Sequence, residues 1–335
     1  MSEQYPGYGR TKGIQPDCDG LGQWGNRLDQ LGEVNLIGRF WQSAEVTAQG
    51  ETIEFMQFGD SRLKPFVILN SAEYPGLPPE AFCQRMQDAG YFTLAVQRPG
   101  FGASTPAPTM AGQVRVLESF LARTGLSDIV LMAMGTGAPV GGRLALRNED
   151  IGFTFLTNPT FNNDPLDELR PDWFARLVRQ AMTSPAMARA ALEWIKGNAR
   201  LFGHGQLFEK WYSKHAGDRE FLADNLPEFD EVAAALLNID VDTFRNEIMM
   251  SIEHDPFLQD GRFAGQNMLA VSGAETTASW KRGFESETDR LGVKRVYLPS
   301  GDTFAPFLYP DTLVDLIETH RGQSGRTGSR LTAGA

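Results

Sequence analysis

The chain has 335 residues, 41% of them hydrophobic, enough to bury the core of one large domain. With 31 Lys and Arg against 42 Asp and Glu it carries a net charge of −11, which repels nucleic-acid phosphates and anionic membrane surfaces. No apolar run approaches the roughly 20 residues of a bilayer span, and the start, Met1 to Gly7, lacks the basic-then-apolar run of a secretion signal, so a cytoplasmic address is expected. Residues 1–37, rich in Gly, Gln and Asp, read as an N-terminal arm in which Leu28, Leu31, Val34 and Leu36 give the first apolar periodicity. Gly38 to Val46 and Thr52 to Phe58 alternate as paired strands joined at Gln49-Gly50. Pro65 to Leu69 is a wholly apolar run that suits a buried parallel strand, and a helix from Pro79 to Gly90 follows. Tyr91 to Val96 predicts the next strand, Gln113 to Thr124 an amphipathic helix, Asp128 to Met134 a strand, Gly141 to Arg147 a helix and Gly152 to Asn158 another strand. This strict alternation predicts a doubly wound sheet with right-handed crossovers.

From 160 to 260 the pattern is helical only, over Trp173–Met182, Pro185–Gly197, Phe208–His215, Asp218–Asn225, Phe229–Leu237 and Val241–Ile252, and it reads as an inserted cap. The cap aromatics Trp173, Trp194, Phe202, Phe208, Trp211 and Phe221 recur at helical spacing, which predicts packing of the cap on itself and not a ligand cage. Strands resume at Gln266 to Val271 and Lys294 to Leu298, with helices at Ala278 to Leu291 and Pro310 to His320. The core is therefore expected over 38–159 and 261–321, with a mobile tail at 322–335. Cys18 and Cys83 read as two ordinary thiols, and no His and carboxylate set has the spacing of a metal site. Gly135-Thr136-Gly137 with Gly141 hints at a dinucleotide loop, but the spacing is wrong and no acidic residue follows the next strand, so no cofactor is expected.

The stretch Val130 to Pro139 has the outline of a nucleophile elbow, a strand, a tight turn and a helix, with Ala133 and Gly137 as the small flanks. Phe58-Gly59-Asp60, the turn Gln97-Arg98-Pro99-Gly100-Phe101-Gly102-Ala103-Ser104 and Leu298-Pro299-Ser300-Gly301 agree with it in order and spacing. From about Gly38 to Arg321 the chain thus resembles an α/β-hydrolase of the capped, esterase and haloperoxidase-like kind. The resemblance implies an α/β fold with a doubly wound, mostly parallel sheet and an inserted all-helical cap.

It also implies a nucleophile, an acid and a histidine in that order. The resemblance puts Gly135 at the nucleophile position, Thr276 at the acid, with Glu275 one place early, and Thr303 at the histidine. Glycine has no atom that attacks a carbonyl, and Thr303 is no general base. The family's His-Gly oxyanion loop stands as Asn70-Ser71, so the Ser71 and Thr136 amides are the expected anion donors. Of the four histidines, His254, where the cap rejoins the core, is the best relocated acid or base, against a plain loop histidine bonded to backbone. Thr136 as a substitute nucleophile points the wrong way in such a turn.

Two functions follow as expectations. One is a non-catalytic protein that binds a protein partner, a second copy of itself, or a small apolar or carbonyl-bearing ligand. The other is a lyase or isomerase that uses Glu275, Asp302 or His254 as base in the pocket between Asn70, Gly135, Glu275 and Thr303. A desolvated carboxylate in that pocket favours the second, and a pocket filled by Phe304 or cap aromatics favours a role for the surface.

Overall fold

The computed structural model of the chain describes residues 41–161 except 73, 75 and 76, then 183–203, 214–225, 239–252 and 255–328, together with 176, 179, 180, 206 and 209. Strand β1 (Trp41–Glu45) pairs antiparallel with β2 (Thr52–Phe58), and β2 pairs antiparallel with β4 (Tyr91–Val96). The remaining neighbours, β3 (Lys64–Leu69), β5 (Ile129–Met134), β6 (Ile151–Thr157), β7 (Met268–Gly273) and β8 (Lys294–Leu298), run parallel, in the order β1-β2-β4-β3-β5-β6-β7-β8. This is the doubly wound, mostly parallel sheet of the α/β-hydrolase fold.

The apolar runs explain the burial. Phe66 and Ile68 of β3 and Val130, Met132 and Met134 of β5 face one layer, while Val67, Leu69, Leu131 and Ala133 face the other. A strand in this position must be apolar on both sides, because helices cover both faces. Those helices are α1 (Glu80–Asp88), α2 (Met110–Thr124), α3 (Ala138–Arg147), α7 (Ala278–Leu291) and α9 (Pro310–Gly328), with the single turn α8 (Ala305–Leu308) before the last. Between β6 and β7 the described residues form helices only: α4 (Pro185–Phe202), α5 (216–225) and α6 (Val241–Ile252).

Several ends differ from expectation by capping. Helix α2 starts three residues before Gln113, because the Thr109 hydroxyl accepts from the Gly112 amide at 3.1 Å and closes its first turn. Helix α4 continues past Gly197 to Phe202, and α9 past His320 to Gly328. The arm 1–37, residues 329–335, His204, His254 and the cap residues Trp173, Phe208 and Trp211 lie outside the described residues.

One packing expectation is overturned. Trp194 is 68% exposed and Phe202 61% exposed, so neither packs within the cap. Phe221 is buried, but its ring stacks on Phe304 and Phe307 of the core, at 5.2 and 6.2 Å between centroids. Helical spacing identifies residues that share a face, but not what that face meets.

Candidate functional site

The chain reverses direction across the sheet between β3 and β5, so the loops after these strands meet at the topological switch point, where open α/β sheets place ligands. After β5 the chain turns through Gly135–Gly137 into α3, and Gly135 has φ +47°. Glycine adopts this left-handed conformation freely, whereas an L side chain there costs about 1–2 kcal/mol. The Gly135 carbonyl accepts from both the amide and the hydroxyl of Thr160, at 3.3 and 3.2 Å. Gly137 is small for a different reason, since a Cβ there would stand 2.6 Å from the Asn70 carbonyl oxygen.

The oxyanion expectation for Ser71 is corrected by hydrogen bonding. The Ser71 amide donates to the Tyr74 carbonyl at 3.0 Å. The next amide, Ala72 N–H, donates at 2.8 Å to the hydroxyl of Thr136. Thr136 therefore turns its side chain toward the β3 loop and satisfies the Ala72 amide. Its oxygen also accepts from Arg98 Nη2 at 3.0 Å, so both lone pairs are engaged.

Arg98 organises this end of the sheet. Its side chain is fully buried, and the guanidinium lies 4.9 Å from the centroid of the Phe101 ring. Nε donates to the Asn70 carbonyl at 2.7 Å, Nη1 to Gln113 Oε1 at 3.0 Å and Glu247 Oε1 at 3.1 Å, and Nη2 to Glu247 Oε2 at 2.6 Å as well as to Thr136. The Arg98 amide donates to Asn70 Oδ1 at 2.7 Å. Glu247 comes from α6, so a bidentate ion pair with side-chain exposures of 0% and 2% ties the cap to the core. Phe101, Leu192 of α4 and Ile239 form a small apolar cluster beside it.

A second knot joins the loops after β7 and β8. Glu275 Oε2 accepts from the Gly217 amide at 2.9 Å and the Gly301 amide at 3.1 Å. The Gly217 amide, ahead of the Gly301 amide and the nearby His215, holds the Glu275 carboxyl below the usual glutamate value, which makes it a weak base. Reciprocally, the buried Asp218 of α5 accepts from the amides of Asp302, Thr303 and Phe304 at 2.9, 3.2 and 3.2 Å. Burial pushes Asp218 up to about 6, with the Asp302 charge adding and the three amides opposing. Asn158 donates to the Asp302 carbonyl at 2.7 Å. The Asp302 carboxylate faces His215 Nε2 at 3.6 Å.

An aromatic cluster stands beside Thr303. Phe304, next to Thr303, is 0% exposed and meets Tyr74 edge-on at 5.6 Å as well as stacking on Phe221. Thr276 is buried beside Glu275, and a Cβ on Gly273 would overlap the Gly301 carbonyl oxygen. Gly273→Ala is expected to lower stability by about 1–3 kcal/mol through this backbone overlap, read from urea unfolding against the parent. A cavity of about 210 Å³ adjoins the Arg98 network, lined by Pro99, Pro106, Pro108 and Gln113 and by Asp242, Thr243 and Glu247 of α6.

Of the expected residues, the structure brings Asn70 and Thr136 together through Arg98, and Glu275, Asp302 and Thr303 together through Gly301 and Asp218. Glu247, Gln113, Asp218 and His215 were not among them. Glu247 and Asp218 carry no signal in a chain reading, because each is an acidic residue in an ordinary amphipathic helix whose partner is distant in sequence. No group of three or more His, Cys, Asp or Glu that could hold a metal occurs among the described residues. No described helix is long and apolar enough to cross a membrane.

No curated protein matches the chain by sequence. Solved structures share its fold at low identity. A bromoperoxidase from Bacillus anthracis superposes with TM-score 0.58 at 14% identity, over 84% of this chain and 99% of that one. A carboxylesterase from Nitrososphaera gargenis gives 0.58 at 12%, over 85% and 100%. An esterase from Exiguobacterium antarcticum gives 0.55 at 11%, over 83% and 98%. The family model described as the alpha/beta hydrolase family matches residues 69–316, and the chain belongs to that family.

Proposed function

We propose that this member of the family has given up acyl transfer and acts by binding, as a regulatory or assembly protein. The observation that supports the reading most is the Thr136 hydroxyl bonded to the Ala72 amide beside Gly135. Gly135 offers no side-chain atom to attack a carbonyl, and two amides of the loop after β3, those of Ser71 and Ala72, are already satisfied from within the chain. Thr276 and Thr303 stand where the resemblance puts the acid and the histidine, and Glu275, one place early, is a weak base held by two amides. A cytoplasmic location and the absence of a cofactor belong to the same proposal.

Gly135→Ser tests it. The serine takes the left-handed turn at a cost of about 1 kcal/mol, and without a base to remove its proton the variant hydrolyses p-nitrophenyl esters no faster than the parent. Ester turnover well above the parent reveals a working base and overturns the reading.

A second reading, a lyase or isomerase in the same region, draws on one observation, the pairing of His215 with Asp302 at 3.6 Å, each about a fifth exposed. An imidazole beside a carboxylate is the usual form of a general base. Native mass spectrometry of the protein from its own source separates the two: a stoichiometric small molecule near this pair favours the second reading, and a bound protein or a second copy favours the first.

A further inference from the structure

We propose that the chain pairs with a second copy of itself through the outer face of helix α4 (Pro185–Phe202), in an antiparallel two-fold arrangement. Helix α4 has two apolar faces. The inner one, Ala188, Leu192 and Ala199, is buried. The outer one carries Met187, Trp194, Leu201 and Phe202, which are 51%, 68%, 80% and 61% exposed. These four expose on the order of 500 Å² of apolar surface, at the upper end of what a lone soluble protein leaves uncovered.

The outer face is self-complementary. Met187, Trp194 and Leu201 recur every seven residues, the spacing of a helix-pairing seam, and three residues after the first two stand Ala190 and Gly197. Ala190 is exposed, and a Cβ on Gly197 would meet nothing within 4 Å, so both positions are open hollows on the seam. When two copies of α4 lie antiparallel, the two central large residues of the seam each face a small one: Trp194 seats over the partner's Gly197, and Leu201 over the partner's Ala190, with Met187 at the end of the seam. The same register sets exposed Glu193 near the partner's Arg200, a pair of opposite charge at the rim. An interface in which one patch meets its own copy closes as a two-fold dimer and leaves no free edge. The patch is smaller than the roughly 800 Å² per partner of a standard interface, which fits a dimer that dissociates on dilution. The pairing involves neither Gly135 nor the loops at the sheet switch point, and it holds whether or not the chain turns over a substrate.

Sedimentation equilibrium of the full chain tests it. The expected result is twice the chain mass, falling to the monomer on dilution, with Trp194→Glu raising the dissociation constant at least about thirtyfold while the far-UV circular dichroism stays that of the parent. A cross-linking variant fixes the register. In a Cys18→Ser background, Ala190→Cys combined with Leu201→Cys gives a covalent dimer on oxidation, whereas either substitution alone does not. In that register two copies of the same position stand about 16 Å apart, beyond disulfide reach. A monomer at every concentration overturns the proposal, including one in which segment 1–35 of the same chain covers Trp194. So does a dimer that Trp194→Glu leaves intact, or a double-cysteine variant that does not cross-link.

Discussion

Glu247→Ala is expected to lower the free energy of unfolding by about 3–5 kcal/mol. The cost comes from what is left behind. Arg98 is fully buried and places two of its hydrogen bonds on the Glu247 oxygens, so alanine at 247 strands a buried cation without its counter-ion. The variant Glu247→Gln keeps the shape but offers one carbonyl oxygen instead of a charged pair, and is expected to fall between parent and alanine. Replacing both ends, Arg98→Met with Glu247→Leu, recovers most of the loss, because a buried ion pair and a packed apolar pair of similar volume are close in free energy. The double variant also releases the Thr136 hydroxyl from Arg98 Nη2. Urea unfolding of the four proteins checks the set. Equal destabilisation by the single and the double replacements shows that the charge pairing is not what holds α6 to the core.

The second large effect is a dependence of stability on pH centred on Asp218. Its folded value is raised to about 6 from an ordinary value of 3.8, with burial as the leading cause. A raised carboxyl binds its proton more tightly in the folded state, so the contribution is fully present below about pH 4 and is lost as pH rises through about 6. The whole shift corresponds to about 3 kcal/mol, and the part between pH 7 and pH 5 to about 1.3 kcal/mol in favour of the acidic side. His215, Glu275 and Asp302 face Asp218 or its loop and are present in parent and variant. The quantity to read is therefore the difference in unfolding free energy between the parent and Asp218→Asn at pH 5 and at pH 7. The parent gains relative to Asp218→Asn on acidification. A difference that does not change with pH means that Asp218 is ionised throughout, held by the three amides of residues 302–304.

Much of the architecture is readable along the chain, and for a physical reason. A strand covered on both faces must be apolar at nearly every position, so β3, β4 and β5 stand out as short apolar runs. The turn at Arg98–Ser104 and the Gly135 turn are also local: both need glycine at positive φ, and Gly100, Gly102 and Gly135 supply it. What joins these pieces is not local. Arg98 is visible as part of a turn, yet its counter-ion lies 149 residues away in the cap. The oxyanion expectation placed donors at the Ser71 and Thr136 amides, but the Tyr74 carbonyl takes the Ser71 N–H, and the next amide, that of Ala72, donates to the Thr136 hydroxyl. Asp218 shows no sign of burial in sequence, since a helix with an acidic residue in its first turn is the common solvent-facing pattern. Trp194 misleads in the opposite direction, as an aromatic at core-like spacing that faces out.

The proposed loss of acyl transfer is tested most directly by the intact mass of the parent protein after incubation with an excess of a p-nitrophenyl ester, together with release of p-nitrophenol. The expected result is an unchanged chain mass and release at the rate of buffer alone, with Gly135 offering no nucleophile and the Thr136 oxygen held by Ala72 and Arg98. A stoichiometric acyl adduct mapped to Thr136, with saturable release that Thr136→Val abolishes, contradicts it.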